Sequence, residues 1–365
     1  MTDLLYSDVE EDLRASVRDL LADRVDAAAI LARCETGEPH DRDTWRALAE
    51  VGVTSLQVPE ELGGQGASLR ETAVAQEELG RAVAPVPFLG SAVLATAALL
   101  DCGADDLTRA LAEGTATATL AVSLATAPGA AFPSGVSVVG GRLGGVVRAV
   151  ADTSIADLLV VPAIGDGGPE LHAVRVADVG VTITPSVSLD LTRPVADVEL
   201  TGVASERLAG PDRAESTVDN SLLVGAGMLA AEQVGLAEWC VQSTVDYLRE
   251  RHQFGRPVGS FQALKHRLAD LWSSLVSARA ASRYAADTLA TGDPDARIAV
   301  HLAASFCSAL AVRAAEECVQ LHGGIGMTWE HPAHLYLKRA KANEIALGTP
   351  GTHRTRLAPL VDLPA

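Results

Sequence analysis

The sequence predicts an α+β fold built in three consecutive blocks: helices, then short strands, then a bundle of long helices. Three observations predict it. Apolar residues recur at helical spacing up to about residue 114. Short Val- and Thr-rich runs, broken by Gly, Pro and Asp, then fill about 115–212. Long helical patterns closed by glycine return from 213 to 365. At roughly 150 residues per domain the length fits two or three domains, and the expected boundaries are 1–114, 115–212 and 213–365.

In the first block, Val17, Leu20, Leu21 and Val25 share one helical face, as do Trp45, Leu48 and Val51. The segment VPEELGGQGAS at 58–68 holds one Pro and three Gly and reads as a loop. Helical periodicity resumes over 69–80, 90–100 and 106–113 and ends near Gly114. The middle runs, among them VSVVGGRLGGVVRAV and VADVELTG, predict an antiparallel sheet, with Gly140-Gly141 as a hairpin turn. Four long helices are expected at 214–251, 261–291, 294–321 and 332–347, closing at the Arg/Gly/Pro-rich junction near 251, Gly292, Gly323-Gly324 and Gly348. Long helices with short connections predict an antiparallel bundle.

Composition narrows the function. Apolar residues are 48% and charged residues 21%, as in a globular chain. Aromatics are only 4%, so Ala, Leu and Val must fill the core. A net charge of −18 repels phosphate polymers, which argues against nucleic-acid binding. It leaves room for an anionic small molecule at a local cluster of arginines. Cys34, Cys102, Cys240, Cys307 and Cys318 are odd in number and lack CxxC spacing, which fits reduced thiols in a cytoplasmic protein. The amino terminus lacks a basic segment followed by an apolar stretch, and AVLATAALL at 92–100 is about half a membrane span. The expectation is a cytoplasmic protein without membrane insertion.

Two segments carry candidate chemistry. In ERHQFGRPVGSFQALKHRLADL, 250–271, Arg251, His252 and Arg256 join Arg249 around a Gly/Pro break between two helices. Arginine forks and helix N-termini both suit a pyrophosphate. A solvated helix end with surface ion pairs explains the same cluster. In the segment from 317 to 354, Gln320 precedes Gly323, Gly324 and Gly326, which permit close backbone approach to a ligand. A plain helix stop explains the glycines equally well. His301, His322, His331 and His334 are expected as packing or surface residues, since no HExxH or carboxylate pattern accompanies them. There is also no GxGxxG after a strand, no P-loop and no GxSxG elbow.

Together the two segments resemble the acyl-CoA dehydrogenase superfamily. Arg251-His252-Gln253-Phe254-Gly255 with Gln262 is similar to the family's R-x-x-F-G segment and the Gln after it. Gln320 to Gly326, Glu330-His331-Pro332 and Gly348-Thr349 resemble its Q-x-x-G-G-x-G, E-x-P and G-T motifs. The loop at 58–66 and the α, β, α order match as well. The resemblance implies a helical domain, a middle β domain and a four-helix bundle. It implies FAD as cofactor, α,β-desaturation of an acyl-CoA thioester, and electron-transferring flavoprotein as acceptor. It further implies that Arg251, Gln253, Phe254, Gln262, Gln320, Gly323, Gly324 and Thr349 bind FAD, the first seven across a subunit interface.

The departures from the family are as informative. The position of its catalytic Glu, just before G-T, is Leu347. The alternative position, on the first bundle helix, falls at Gly225. Glu344, one turn before Leu347, is the substitute carboxylate, or a surface glutamate near Lys338 and Lys341. In the middle domain only Ala127-Pro128-Gly129 remains of the stretch that holds the flavin ring in the family, and its tryptophan is absent. With its shortness, this pattern resembles the subunit that lacks the catalytic Glu in bacterial α2β2 acyl-CoA dehydrogenases, associated with steroid side chains and other bulky acyl-CoAs. The partner is then a second family chain. A homotetramer using Glu344 and a flavin-dependent oxygenase on the same fold are the alternatives.

Overall fold

The structure, a computed structural model, describes residues 4–36 and 38–362. The first three and last three residues of the outer blocks lie outside the described residues. The amino-terminal part holds α1 (Asp8–Arg24), α2 (Ala27–Cys34), α3 (Arg42–Glu50), α4 (Leu69–Ala82), α5 (Thr96–Cys102) and α6 (Asp105–Ala112). Ser7 with Glu10, and Ser68 with Glu71, form capping boxes that satisfy the first N–H groups of α1 and α4. The 90–100 run departs from a uniform α-helix. Phe88–Ala95 is π-helical, and the Thr96 N–H and hydroxyl both reach back to the Ser91 carbonyl.

The strands are β1 (Ala118–Leu120), β2 (Val136–Val139), β3 (Arg142–Ala151), β4 (Leu158–Gly165), β5 (Gly168–Arg175), β6 (Val181–Pro185), β7 (Val195–Val203) and β8 (Glu206–Ala209). They form one sheet in the order β6-β7-β3-β2-β4-β5-β8, with β1 added beside β4. The hairpin falls at Gly140-Gly141, where φ values of 58° and 74° make a type I′ turn between Val139 and Arg142. The sheet is mixed rather than purely antiparallel. β1 runs parallel to β4, with Ala118 opposite Leu158, and β2 meets β4 in parallel at Ser137 and Ile164. Alternation along a strand reports which face is buried but carries no information about direction, so the parallel pairings were not legible in the pattern.

The carboxy-terminal part comprises α7 (Ala214–Glu250), α8 (Gln262–Thr291), α9 (Ala296–His322), α10 (Ala333–Ile345) and α11 (Pro350–Leu360). α11 is additional to the four expected helices. Thr349 caps it and Pro350 opens it, a start signal that follows Gly348 directly. The segment Ala296–Met327 is long and apolar enough to cross a membrane, yet 72% of its most apolar window is buried inside the bundle. Small residues let the helices approach. A Cβ on Gly235 would strike the Glu77 carbonyl of α4, and one on Gly80 would strike the Glu232 carbonyl of α7. Such close crossings suit a core with few aromatics.

Where the three parts meet lies a buried ionic cluster. Arg339 of α10 reaches Asp190 at 2.6 Å and Glu232 of α7 at 3.0 Å. Arg193, from the loop between β6 and β7, reaches Glu232 at 2.6 Å and Asn343 at 2.7 Å. All five side chains are buried. Burial pushes the Glu232 carboxyl upward, but the Arg193 and Arg339 guanidiniums overcome this and hold it down to about 2. A second set clamps α1 down: Arg18 on Glu78, and Arg70 on Glu10 and Asp287. Arg339→Ala is expected to destabilise the fold by about 3–5 kcal/mol, because it strands the buried Asp190 carboxylate and leaves Glu232 with Arg193 alone. Urea unfolding of the variant beside the parent measures it.

Candidate active site

Two regions of the bundle contain the predicted site residues, and they are far apart. The first surrounds Leu347. Gly225, on α7, and Leu347, between α10 and α11, face one another: a Cβ on Gly225 would lie 3.1 Å from Leu347 Cδ1 and closer still to Leu94 of the π-helical segment. The two positions that could hold a base in the resembling family therefore converge in space. Both lack a carboxylate, and the side chains of Leu94 and Leu347 close the space between them.

The backbone around Leu347 is tightly held. Its φ is +54°, a left-handed conformation that is unfavourable for leucine. Its N–H donates to the Leu124 carbonyl at 2.7 Å. Gly348, at φ +108°, lies against Ala127, and a Cβ there would come within 2.8 Å of the Ala127 Cβ. The Ala127-Pro128-Gly129 remnant thus packs directly on the Leu347 turn. The Gly129 N–H donates to Asp219 of α7, which also pairs with Arg297 of α9.

The spaces near this turn suit water better than a substrate. A cavity among Ala226, Leu229, Gln233, Asn343, Leu347 and His353 has a water-sized volume of ≈ 10 Å³, the lower limit for a single water molecule. An open groove of ≈ 420 Å³ on the same measure runs beside Gly129, and Asp212, Glu215 and Asp219 line it, which disfavours an anionic ligand. Glu344 is not among the cavity's lining residues. Its side chain is 36% exposed and lies 3.8 Å from the Lys341 ammonium, which it shares with Glu316. Thr349 is spent as the cap of α11, accepting the Thr352 N–H at 3.1 Å.

Behind the turn, Nδ1 of His353 meets Nδ1 of His301 at 2.9 Å. Burial lowers both imidazoles to about 4, so both are neutral at pH 7, one donating and one accepting. An imidazole depressed in the folded state makes the unfolded chain bind more protons between pH 6.5 and 4. Stability is therefore expected to fall as pH drops through that window. Chemical unfolding at a series of pH values should show the slope, and His301→Asn with His353→Asn should reduce it.

The second region is at the carboxy-terminal end of α7. There β9 (His252–Gln253) and β10 (Arg256–Pro257) form a small hairpin. Phe254 and Gly255 make its turn with φ of 52° and 75°, and the Phe254 ring is 89% exposed. An exposed aromatic held in the left-handed region is an energetically unfavourable choice for a surface loop, which marks a surface shaped for contact. Arg256 lies over the Phe261 ring at 3.9 Å, and Phe254 meets the same ring edge-on. Arg251 and Arg256 have no carboxylate partner among the described residues. At the start of α8 the Gln262 and Ala263 N–H groups have no side-chain cap and no acceptor among the described residues, whereas the Leu264 N–H donates to the Phe261 carbonyl at 3.1 Å.

α9 runs alongside α7 and delivers Gln320, Gly323 and Gly324 to the same end. The Tyr247 and His322 rings stack there at 4.5 Å. Gln320, Gly323 and Gly324 are exposed, and an added Cβ on either glycine would meet nothing within 4 Å. Hairpin, α8 terminus and glycine turn thus form one open cradle of amide, guanidinium and backbone N–H donors. These residues fit the dinucleotide end of a flavin cofactor. Gly225 lies within α7 and Arg251 is the C-cap of that helix, 26 residues further on, or about 39 Å at 1.5 Å per residue. Thr349 belongs with the distant turn, so the structure separates it from the other seven predicted cofactor residues.

A helical part, a mixed sheet and a helical bundle follow one another along the chain, with this open, donor-rich cradle at one end of the bundle. Family models match twice: acyl-CoA dehydrogenase, N-terminal domain, over residues 7–119, and acyl-CoA dehydrogenase, C-terminal domain, over 216–360. The chain is 36% identical to acyl-CoA dehydrogenase IpdE2 of Mycolicibacterium smegmatis over 96% of this chain and 98% of that protein. It is 39% identical to acyl-CoA dehydrogenase IpdE2 of Mycobacterium tuberculosis, over 93% of this chain and 92% of that one. A chain of the ChsE4-ChsE5 complex from Mycobacterium tuberculosis superposes with a TM-score of 0.88 at 30% identity, covering 100% of both chains. A chain from a variant of the Tcur3481-Tcur3483 steroid ACAD does so at 0.86 and 29%, covering 97% of both. The chain belongs to the acyl-CoA dehydrogenase family.

Proposed function

We propose that this chain is the non-basic subunit of a heteromeric, FAD-dependent acyl-CoA dehydrogenase. In this reading 1–114, 115–212 and 213–365 are its three domains, and the cradle completes the flavin site of a partner family chain that carries the catalytic Glu. The observation that carries the proposal is the separation along α7. A cradle about 39 Å from its own chain's Leu347 turn supports a role toward another chain. The closed turn supports the same reading, because Leu347, Gly225 and Leu94 offer neither a proton acceptor nor an acyl slot. Similarity to a chain from a two-component complex and to a steroid ACAD supports the heteromer and a bulky, steroid-type acyl-CoA as substrate class.

The work of this chain is then binding and orientation. FAD, when bound, supplies the acceptor for the hydride lost from the acyl chain. Arg251 and the free N–H groups of α8 would hold its pyrophosphate, and Gln253, Gln262 and Gln320 would donate to its polar edges. Phe254 would cover its adenosine end, and Gly323 with Gly324 would admit close backbone approach. Proton abstraction falls to the partner chain, and an electron-transferring flavoprotein would be the electron acceptor of the assembly. The half-exposed, lysine-paired Glu344 offers no advantage to the homotetramer reading.

Native mass spectrometry of the chain purified from its own host tests the proposal. A four-chain assembly of two masses with two FAD is expected, whereas a homotetramer with four FAD overturns it. Arg251→Ala should lower the FAD content of the assembly without lowering the chain's own unfolding stability by more than about 0.5 kcal/mol, as for an exposed residue. Leu347→Glu should not confer dehydrogenase activity on the chain alone, because Leu94 still fills the adjoining space. Assay of the purified variant with acyl-CoA and a dye acceptor checks this.

A further inference from the structure

Between the first two helices and α4, α7 and α10 lies an open pocket with a water-sized volume of ≈ 180 Å³, room for about a dozen water molecules. Most of its lining residues are apolar. Leu21, Val25 and Ile30 come from the first two helices and the turn between them. Opposite them α7 and α10 supply the stacked rings of Trp239 and Tyr336, with centroids 3.6 Å apart. Three charged residues complete the lining: Arg18, Glu78 and Arg81. Glu78 is already engaged, accepting from Arg18 Nε at 2.8 Å, Arg18 Nη2 at 2.6 Å and Arg14 Nε at 2.9 Å. Arg81 is not. Its Nε is buried without a hydrogen-bond partner, and its guanidinium has no carboxylate partner among the described residues. Its backbone is held in place, because the Tyr336 hydroxyl donates to the Arg81 carbonyl at 2.8 Å. A buried donor without an acceptor is unfavourable, so a pocket wall that keeps one is suited to an acceptor brought by a ligand.

We propose that this pocket binds a small monocarboxylate with a flat apolar body, its carboxylate on Arg81 and its body against the Trp239–Tyr336 pair. The chemistry of the lining selects that class. Nε and one terminal nitrogen of an arginine present two parallel donors, which match the two oxygens of a carboxylate. Two arginines and one glutamate leave the lining with one surplus positive charge, in a chain of net charge −18. That surplus suits a single negative charge. A phosphate ester is matched less well, because its second charge would face Glu78 with no uncommitted guanidinium left in the lining. The apolar walls and the aromatic pair take the rest of the ligand out of water. Flavin binding plays no part in this site, since none of its lining residues belongs to the cradle.

Isothermal titration calorimetry of the full-length chain with 2-naphthoate tests the site, with 2-naphthalenemethanol as the uncharged control. Saturable binding of one naphthoate per chain is expected, and the alcohol should bind about tenfold more weakly or worse, as for a lost pair of charge-assisted hydrogen bonds. Arg81→Gln should weaken naphthoate by a similar factor and leave the alcohol unchanged. Ala22 is exposed and lines the pocket, so Ala22→Phe should block both compounds while keeping the parent's unfolding midpoint. Naphthoate that fails to saturate overturns the proposal, as does naphthoate that binds either variant as tightly as the parent. Equal affinity for the acid and the alcohol overturns the pairing of a carboxylate with Arg81.

Discussion

The arrangement of the chain depends on the buried pairing of Arg339 and Arg193 with Glu232 and Asp190. Two positive and two negative groups, all out of water, come from α7, α10 and the loop between β6 and β7. Each charge would be very unfavourable alone in the interior, so none can move without stranding another. This ties the sheet to the bundle at one depth and one orientation. It also sets the end of α10, because Asn343 belongs to the cluster and Leu347 follows one turn later. The strained Leu347 turn is held from both sides, by this cluster and by the Leu124 carbonyl.

From that anchor, α7 acts as a ruler. Its middle passes the Leu347 turn and contributes Gly225, and its end carries the hairpin with Arg251 and Phe254. A rigid helix of this length fixes the distance between a closed, apolar region and an open, donor-rich one. The first lacks the group that dehydrogenation needs. The second keeps Arg251 and Arg256 without a carboxylate partner among the described residues, in a chain of net charge −18. The proposed division of labour between chains rests on that contrast between the two ends of one helix.

Much of the fold was legible because glycine and proline punctuate it. Gly292 and Gly323 stop α8 and α9 at positive φ, and Gly140-Gly141 turns the first hairpin. The cradle was legible through residue types that suit a pyrophosphate and through a resemblance spread over several motifs. The parallel placement of β1, the π-helical Phe88–Ala95 and the added α11 were not read, because periodicity reports the buried face and not direction, pitch or a short capped helix.

By itself the sequence determined the order of helices and strands, the missing carboxylate at 347 and the donors around 251 and 320. These are properties of residue type and local spacing, which the chain carries whatever it packs against. Only the tertiary structure decided that Gly225 and Leu347 meet, that Leu94 closes the space between them, and that Glu344 faces Lys341 instead. It alone set the cradle far from that turn. Each of these depends on which helix faces pack together, and packing is decided by the whole buried surface rather than by any one segment.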